Sequence, residues 1–115
     1  MDLTSRLRAF YAPGVAYEIA TPDQPIPNMV LEVASRYPTR AAIDFFARQL
    51  SYSELAQDMR RCAGALHQAG VRPGDRVALV MPNCPQHAVA VLGTILLGAV
   101  VVEHNPLAPA GELEG

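Results

Sequence analysis

Apolar and polar positions alternate along this chain in a pattern that changes period several times, and each change marks an element. Leu3, Leu7, Phe10 and Tyr11 fall at helical spacing, so a short amphipathic helix is expected over 2–11. Pro13-Gly14 ends it, and four prolines between residues 12 and 27 (Pro13, Pro22, Pro25, Pro27) make that stretch an extended linker. A helix is then expected from about Pro27 to Tyr37, with Val30, Leu31 and Ala34 as its buried stripe. Proline suits its first turn, where a backbone N–H would have no helical partner. Pro38 biases Tyr37 away from the helical region and stops it.

Ala41 to Phe46 reads as a strand and Leu50 to Tyr52 as a shorter one. The turn between them is assigned to Ala47-Arg48-Gln49, without the glycine or asparagine that tight hairpins prefer. Ser51 and Glu54 have capping-box spacing, with Ser53 as an alternative cap. Leu55, Met59, Cys62 and Leu66 follow on one helical face, and Asp58 and Arg61 pair on the other. Gly70 supplies the left-handed stop, with Val71 behind it. Arg72-Pro73-Gly74-Asp75 has the residue order of a type II turn.

Arg76 to Met81 is expected to be a central strand buried on both faces, and Asn83 to cap the helix from Cys84 to about Gly98. That helix is apolar nearly all round, so cover on most sides is expected. Its glycines, Gly93 and Gly98, are read as packing positions. Ala99 to Val102 is the next strand, which makes a right-handed βαβ unit with parallel strands. The uncharged run Ala88 to Val102 holds 15 residues, short of the ~20 a membrane span needs. Asn105-Pro106 breaks the chain, and its last residues resemble a helix start. The predicted fold is α/β, with a partial parallel or mixed sheet and flanking helices. Residues 1–27 are divided off as helix and linker, and 28–115 as an incomplete α/β subdomain.

Composition changes this picture little. Half of the 115 residues are hydrophobic and 17% are charged, so a core is affordable. The formal net charge is -2, which excludes the basic face of a nucleic-acid binder. All nine basic residues are arginine, so no residue here serves as a lysine nucleophile or a P-loop lysine. Spacing leaves a Cys62–Cys84 disulfide open, but a scaffold this poor in cysteine favours reduced, cytosolic thiols. The amino terminus has no apolar secretory core, and a cytoplasmic location is expected, with peripheral membrane contact in a larger enzyme left open.

Candidate chemistry is sparse. Neither glycine-rich phosphate motif occurs, and the three histidines, His67, His87 and His104, are not spaced as metal ligands. His67 is read as a surface residue near a helix end, and His87 as part of a helix first turn. Cys84 at a helix N-terminus is read as a structural thiol, and Asp44 as a solvent-facing carboxylate. His104 and Asn105 are the candidate substrate-side contacts, because α/β folds place ligands at the carboxyl ends of their strands.

Several segments together resemble the amino-terminal part of the adenylate-forming enzymes, over about residues 28–113. Leu50-Ser51-Tyr52-Ser53-Glu54-Leu55 is similar to that family's Leu-Thr-Tyr-x-Glu-Leu, and Gly70-Val71-Arg72-Pro73-Gly74-Asp75-Arg76-Val77 to its Gly-Val-x-x-Gly-Asp-x-Val turn. Ala65-Leu66, Met81-Pro82-Asn83, Gly93, Leu97-Gly98-Ala99-Val100, Asn105-Pro106-Leu107 and Glu112-Leu113 follow in the family's order. Each piece is weak alone; order and spacing make the set specific. Glu103 and His104 depart from the family's proline and aliphatic residue. The resemblance implies a segment of an ATP-dependent acyl-CoA synthetase of the fatty-acid–CoA ligase type. The whole enzyme is implied to use ATP, Mg2+ and coenzyme A on a fatty or other carboxylic acid. The family's phosphate loop, metal-contacting acids and catalytic lysine match no position here, so no catalytic, cofactor-binding or metal-binding residue is assigned. The segment alone is expected to be inert, to partner the rest of a ligase chain, and to self-associate through uncovered sheet edges. Two alternatives stay open: a stand-alone α/β interaction module, or a segment of an aryl-acid or amino-acid adenylating enzyme.

Overall fold

A computed structural model describes residues 2–112 of the chain. In chain order its regular elements are α1 (Leu3–Arg8), α2 (Ile26–Arg36), β1 (Ala41–Phe45), β2 (Arg48–Ser51), α3 (Tyr52–Gln68), β3 (Arg76–Val80), α4 (Pro85–Leu96) and β4 (Val100–His104). A short 3-10 turn, Ala110–Glu112, follows, and the rest of the expected carboxy-terminal helix start lies outside the described residues. The α/β class holds, in the form of two small sheets. β1 and β2 are antiparallel; β3 and β4 are parallel.

The most complete piece of local chemistry is the start of α3. A helix leaves four N–H groups without helical partners. Here each has one. The Ser51 N–H donates to Glu54 Oε2 at 2.8 Å, Tyr52 N–H to the Arg40 carbonyl at 2.9 Å, Ser53 N–H to the Pro38 carbonyl at 3.0 Å, and Glu54 N–H to Ser51 Oγ at 3.2 Å. The expected capping box is therefore present, with Ser51 as the cap. The helix also ends as expected: Gly70 takes φ 101°, its N–H donates to the His67 carbonyl, and Val71 N–H donates to the Leu66 carbonyl. These two bonds are the Schellman closure. In the next turn, Asp75 N–H donates to the Arg72 carbonyl at 3.0 Å with Gly74 at φ 90°. A positive φ at the third residue is the type II requirement.

The Glu54 carboxyl lies below its ordinary value of 4.5, first because it accepts the Ser51 backbone N–H, then because of the Ser51 hydroxyl and the nearby Arg48 charge. A depressed folded pKa stabilises the native state above the unfolded value, and that stabilisation is lost as pH falls through the folded one. The urea midpoint of the chain should therefore drop between neutral pH and a pH well below 4.5. Glu54→Gln should lose midpoint at neutral pH and show a smaller drop on acidification. An unchanged pH dependence in the variant would remove Glu54 from the account.

Three expectations need correction. The hairpin turn is Phe46-Ala47 and not Ala47-Arg48-Gln49, because Phe45 pairs with Arg48 and closes a two-residue loop. The cap of α4 is Cys84 and not Asn83: Pro85 occupies the first helical position and holds Cys84 extended at φ -154°, ψ 166°. β3 is not buried on both faces. Leu79 is buried and Val77 half-buried, whereas Ala78 and Val80 are exposed. α4 covers one face of the β3–β4 pair, the face of Leu79 and Glu103. α4 is accordingly less covered than its composition suggested, with Gly93 and Thr94 its buried residues.

The core lies where α2 and α4 flank α3. Met59 and Thr94 are fully buried there, with Leu55, Ala56 and Ala34 around them. α3 and α4 make the most extensive contact between elements. Their separation is set by Gly93, whose missing side chain lets Cys62 and the Met59 carbonyl approach. The Thr94 hydroxyl has no hydrogen-bond partner among the described residues. Toward the amino terminus, Arg8 lies over the Tyr17 ring at 4.6 Å and bridges Glu18 at 3.4 Å, while all of α1 is exposed.

Candidate functional site

In a βαβ unit the helix runs antiparallel to the strands. The first turn of α4 therefore returns to the carboxyl ends of β3 and β4, where α/β folds place ligands. The parallel register sets Leu79 opposite Glu103 and Val80 opposite His104. Successive strand residues face opposite sides, so Glu103 and His104 point apart.

Glu103 faces α4. His87 Nε2 lies 2.8 Å from Glu103 Oε1 and 3.0 Å from Oε2. The His87 side chain is 23% exposed and that of Glu103 is 52% exposed, so a mostly sheltered ring is held by a half-solvated carboxylate. The contact fixes the imidazole against the strand end. This pair was not expected from sequence, although a signal existed. The uncharged run of 15 residues is bracketed by His87 and Glu103, and a βαβ crossover brings the two ends of such a run together.

The two expected contacts sit differently. His104 is the last residue of β4, not a residue beyond it, and is half-buried on the face away from α4. Asn105 is exposed and folds onto its own loop: its Oδ1 accepts the Leu107 N–H at 3.0 Å, and its carbonyl accepts the Ala108 N–H at 3.0 Å. This is an Asx-type turn, which occupies the side-chain oxygen. The structure thus joins His87 to Glu103 and leaves His104 and Asn105 in separate surroundings.

The remaining candidates have structural positions. His67 is exposed in the last turn of α3, and its carbonyl accepts Arg72 Nη1 at 2.9 Å. Asp44 is exposed and accepts Gln49 Nε2 at 3.2 Å. Both cysteines are free and half-buried; burial pushes the Cys62 thiol above its ordinary 9.0. Among the described residues, no three His, Cys, Asp or Glu side chains converge for a metal ion. The sequence carries neither a glycine-rich phosphate motif nor a lysine. At this site the chain can orient an imidazole and shape the end of a parallel sheet.

A βαβ unit flanked by helices and led by a hairpin is an α/β architecture with many uses, and comparison with known proteins narrows it. The sequence profile described as AMP-binding enzyme matches residues 30–115, so the chain belongs to that family. It is 33% identical over 106 residues to a long-chain-fatty-acid–CoA ligase of Bacillus subtilis (strain 168), covering 92% of this chain and 19% of that protein. It is 42% identical over 91 residues to the salicyl-AMP ligase / salicyl-S-ArCP synthetase of Mycobacterium tuberculosis, covering 75% of this chain and 16% of that protein. Among solved structures it matches the N-terminal subdomain of Klebsiella oxytoca NpsA in complex with 3-hydroxyanthranilyl-AMSN. That match has a TM-score of 0.74 at 29% identity and covers 77% of this chain and 23% of that one. The chain therefore spans about a fifth of the length of the curated relatives it matches. Among the described residues, no helix is long and apolar enough to cross a membrane.

Proposed function

We propose that these residues form scaffold for an ATP-dependent acyl-CoA synthetase acting on a fatty acid. In that reaction the carboxylate attacks ATP to give an acyl-adenylate and pyrophosphate, and coenzyme A then displaces AMP. One observation carries the reading: the likeness to a long-chain-fatty-acid–CoA ligase extends over 92% of the chain. ATP, Mg2+ and coenzyme A belong to this proposal. The same reading carries a cytoplasmic location, with which two free cysteines agree. An aryl-acid substrate is the second reading, favoured by the 42% identity to a salicyl-AMP ligase.

The 115 residues alone are proposed to be inactive. They should catalyse no ATP–pyrophosphate exchange with palmitate or with salicylate; exchange from a pure preparation would overturn this. We extend the proposal to self-association, because Val80 and Val100 are 45% and 49% exposed on the open face of the β3–β4 pair. Sedimentation velocity should show species heavier than the monomer, and a clean monomer at high concentration would remove that extension.

A further inference from the structure

The tip of the β1–β2 hairpin carries a side chain that this fold does not account for. Phe46 stands there 89% exposed, on a backbone with φ 47°. A bulky side chain disfavours that left-handed conformation, and Asn-Gly is the pair such a turn prefers. The ring meets Phe45 edge-on, at 4.6 Å between ring centres. Phe45 in turn lines a cleft of about 490 Å³ between the hairpin and the α3–α4 pair. Leu50 and Val89 continue the apolar wall, and Arg48 and Asp58 are the charged groups of the cleft. Arg48 makes no ion pair and no side-chain hydrogen bond among the described residues. Asp58 meets the exposed Arg61 at 3.4 Å, a solvated pair that holds it weakly.

One patch therefore carries an exposed aromatic knob, an apolar socket beside it, and a charge of each sign. A contact with two-fold symmetry uses the same patch on both partners, so it needs these opposites side by side. We propose that a second copy of this chain docks here, the Phe46 ring of each copy entering the cleft of the other and Arg48 of each facing Asp58 of the other. Buried aromatic rings and arginines are the side chains that carry such contacts. The unfavourable turn has the same origin, because backbone strain persists where it holds a side chain for binding. This surface differs from the open face of the β3–β4 pair, and it rests on no reading of the enzyme reaction. The patch is small, so a dissociation constant on the order of 0.1 mM is expected. At micromolar concentration the chain is monomeric at this face.

The test uses the 115-residue chain labelled at its amino terminus, half with a fluorescence donor and half with an acceptor. Energy transfer is read from micromolar to millimolar concentration and should rise with a midpoint of about 0.1 mM. Arg48→Glu alone sets two carboxylates against each other across the two-fold, and Asp58→Arg alone sets two guanidinium groups. Each should weaken the association at least about tenfold. Mixing the two variants restores an opposite pair at both contacts, and association should return. Association through the open sheet face contributes alike to all of these pairs and does not produce that pattern. Phe46→Asn suits the turn and removes the ring, so it should abolish the contact while the fold is kept. The proposal is overturned if the mixed variants associate no better than either alone, or if Phe46→Asn leaves the transfer unchanged. It is overturned equally if the unaltered chain shows no transfer at millimolar concentration.

Discussion

Replacing Gly93 with alanine is expected to cost about 3 kcal/mol of folding stability, the upper part of the range for forcing atoms into a filled interior. The reason is geometric. A Cβ on Gly93 would lie 2.6 Å from Cys62 Cβ, 2.8 Å from Cys62 Sγ and 3.0 Å from the Met59 carbonyl oxygen. The first and last of these belong to the α3 framework and not to a free side-chain end. The helices must therefore move apart, and fully buried Met59 and Thr94 lose contacts with them. Gly64→Ala is the matched control. Gly64 lies within α3, is exposed, and has nothing within 4 Å of an added Cβ. There the same change should stabilise by about 0.5–1 kcal/mol through helix propensity alone. Urea denaturation of the two variants should give opposite signs. If Gly93→Ala also stabilises, α3 and α4 do not approach as closely as described. A Gly93→Ala, Cys62→Gly double variant should lose less than the sum of its parts, because the two sites share one contact.

The same contact shows why parts of this molecule could be read from sequence and others not. α3 was legible at both ends because its signals are local. Ser51, Glu54 and Gly70 act within a turn of where they stand. The βαβ order of β3, α4 and β4 was legible because apolar runs of the right length leave few other arrangements. The cap at Cys84 was also within reach, since Pro85 carries its own rule, but Asn83 drew the assignment by side-chain preference. Faces were harder. Whether Val80 is buried depends on what lies across the sheet, and a strand's composition says only what it tolerates on each side. The His87–Glu103 contact joins residues 16 apart, so it needs the crossover before it can be seen. At the strand end the fold context of His104 was legible and its face was not, because β4 runs two residues further than the valine run indicates. Asn105 follows directly on that end, and its side-chain oxygen serves the loop. The resemblance rested on many short matches in order, from Leu50 to Leu113, and the family profile covers all of them.

Phe46→Asn with Ala47→Gly is expected to stabilise the chain by about 2 kcal/mol, since each residue now takes the left-handed conformation that disfavours ordinary side chains by roughly 1–2 kcal/mol. Phe46 has φ 47° and Ala47 φ 63°. Two central residues with positive φ define a type I′ hairpin, for which Asn-Gly is the preferred pair. The turn exists despite its residues because the strands decide the register. Ile43, Phe45 and Leu50 are half-buried, and sliding β1 by one residue would turn them to solvent. The irregularity between Ala41 and Ile43 shows the same adjustment at the other end of the strand. Ala47→Gly carries the cleaner gain. Phe46→Asn gives up an edge-on contact with Phe45, at 4.6 Å between ring centres, but Phe46 is 89% exposed and loses little else. The relief should be local: amide exchange in β1 and β2 should slow more than exchange in α3 and α4. Uniform slowing would mean that the hairpin opens only with the whole chain, and no gain in stability would mean that the loop is not the two-residue turn described.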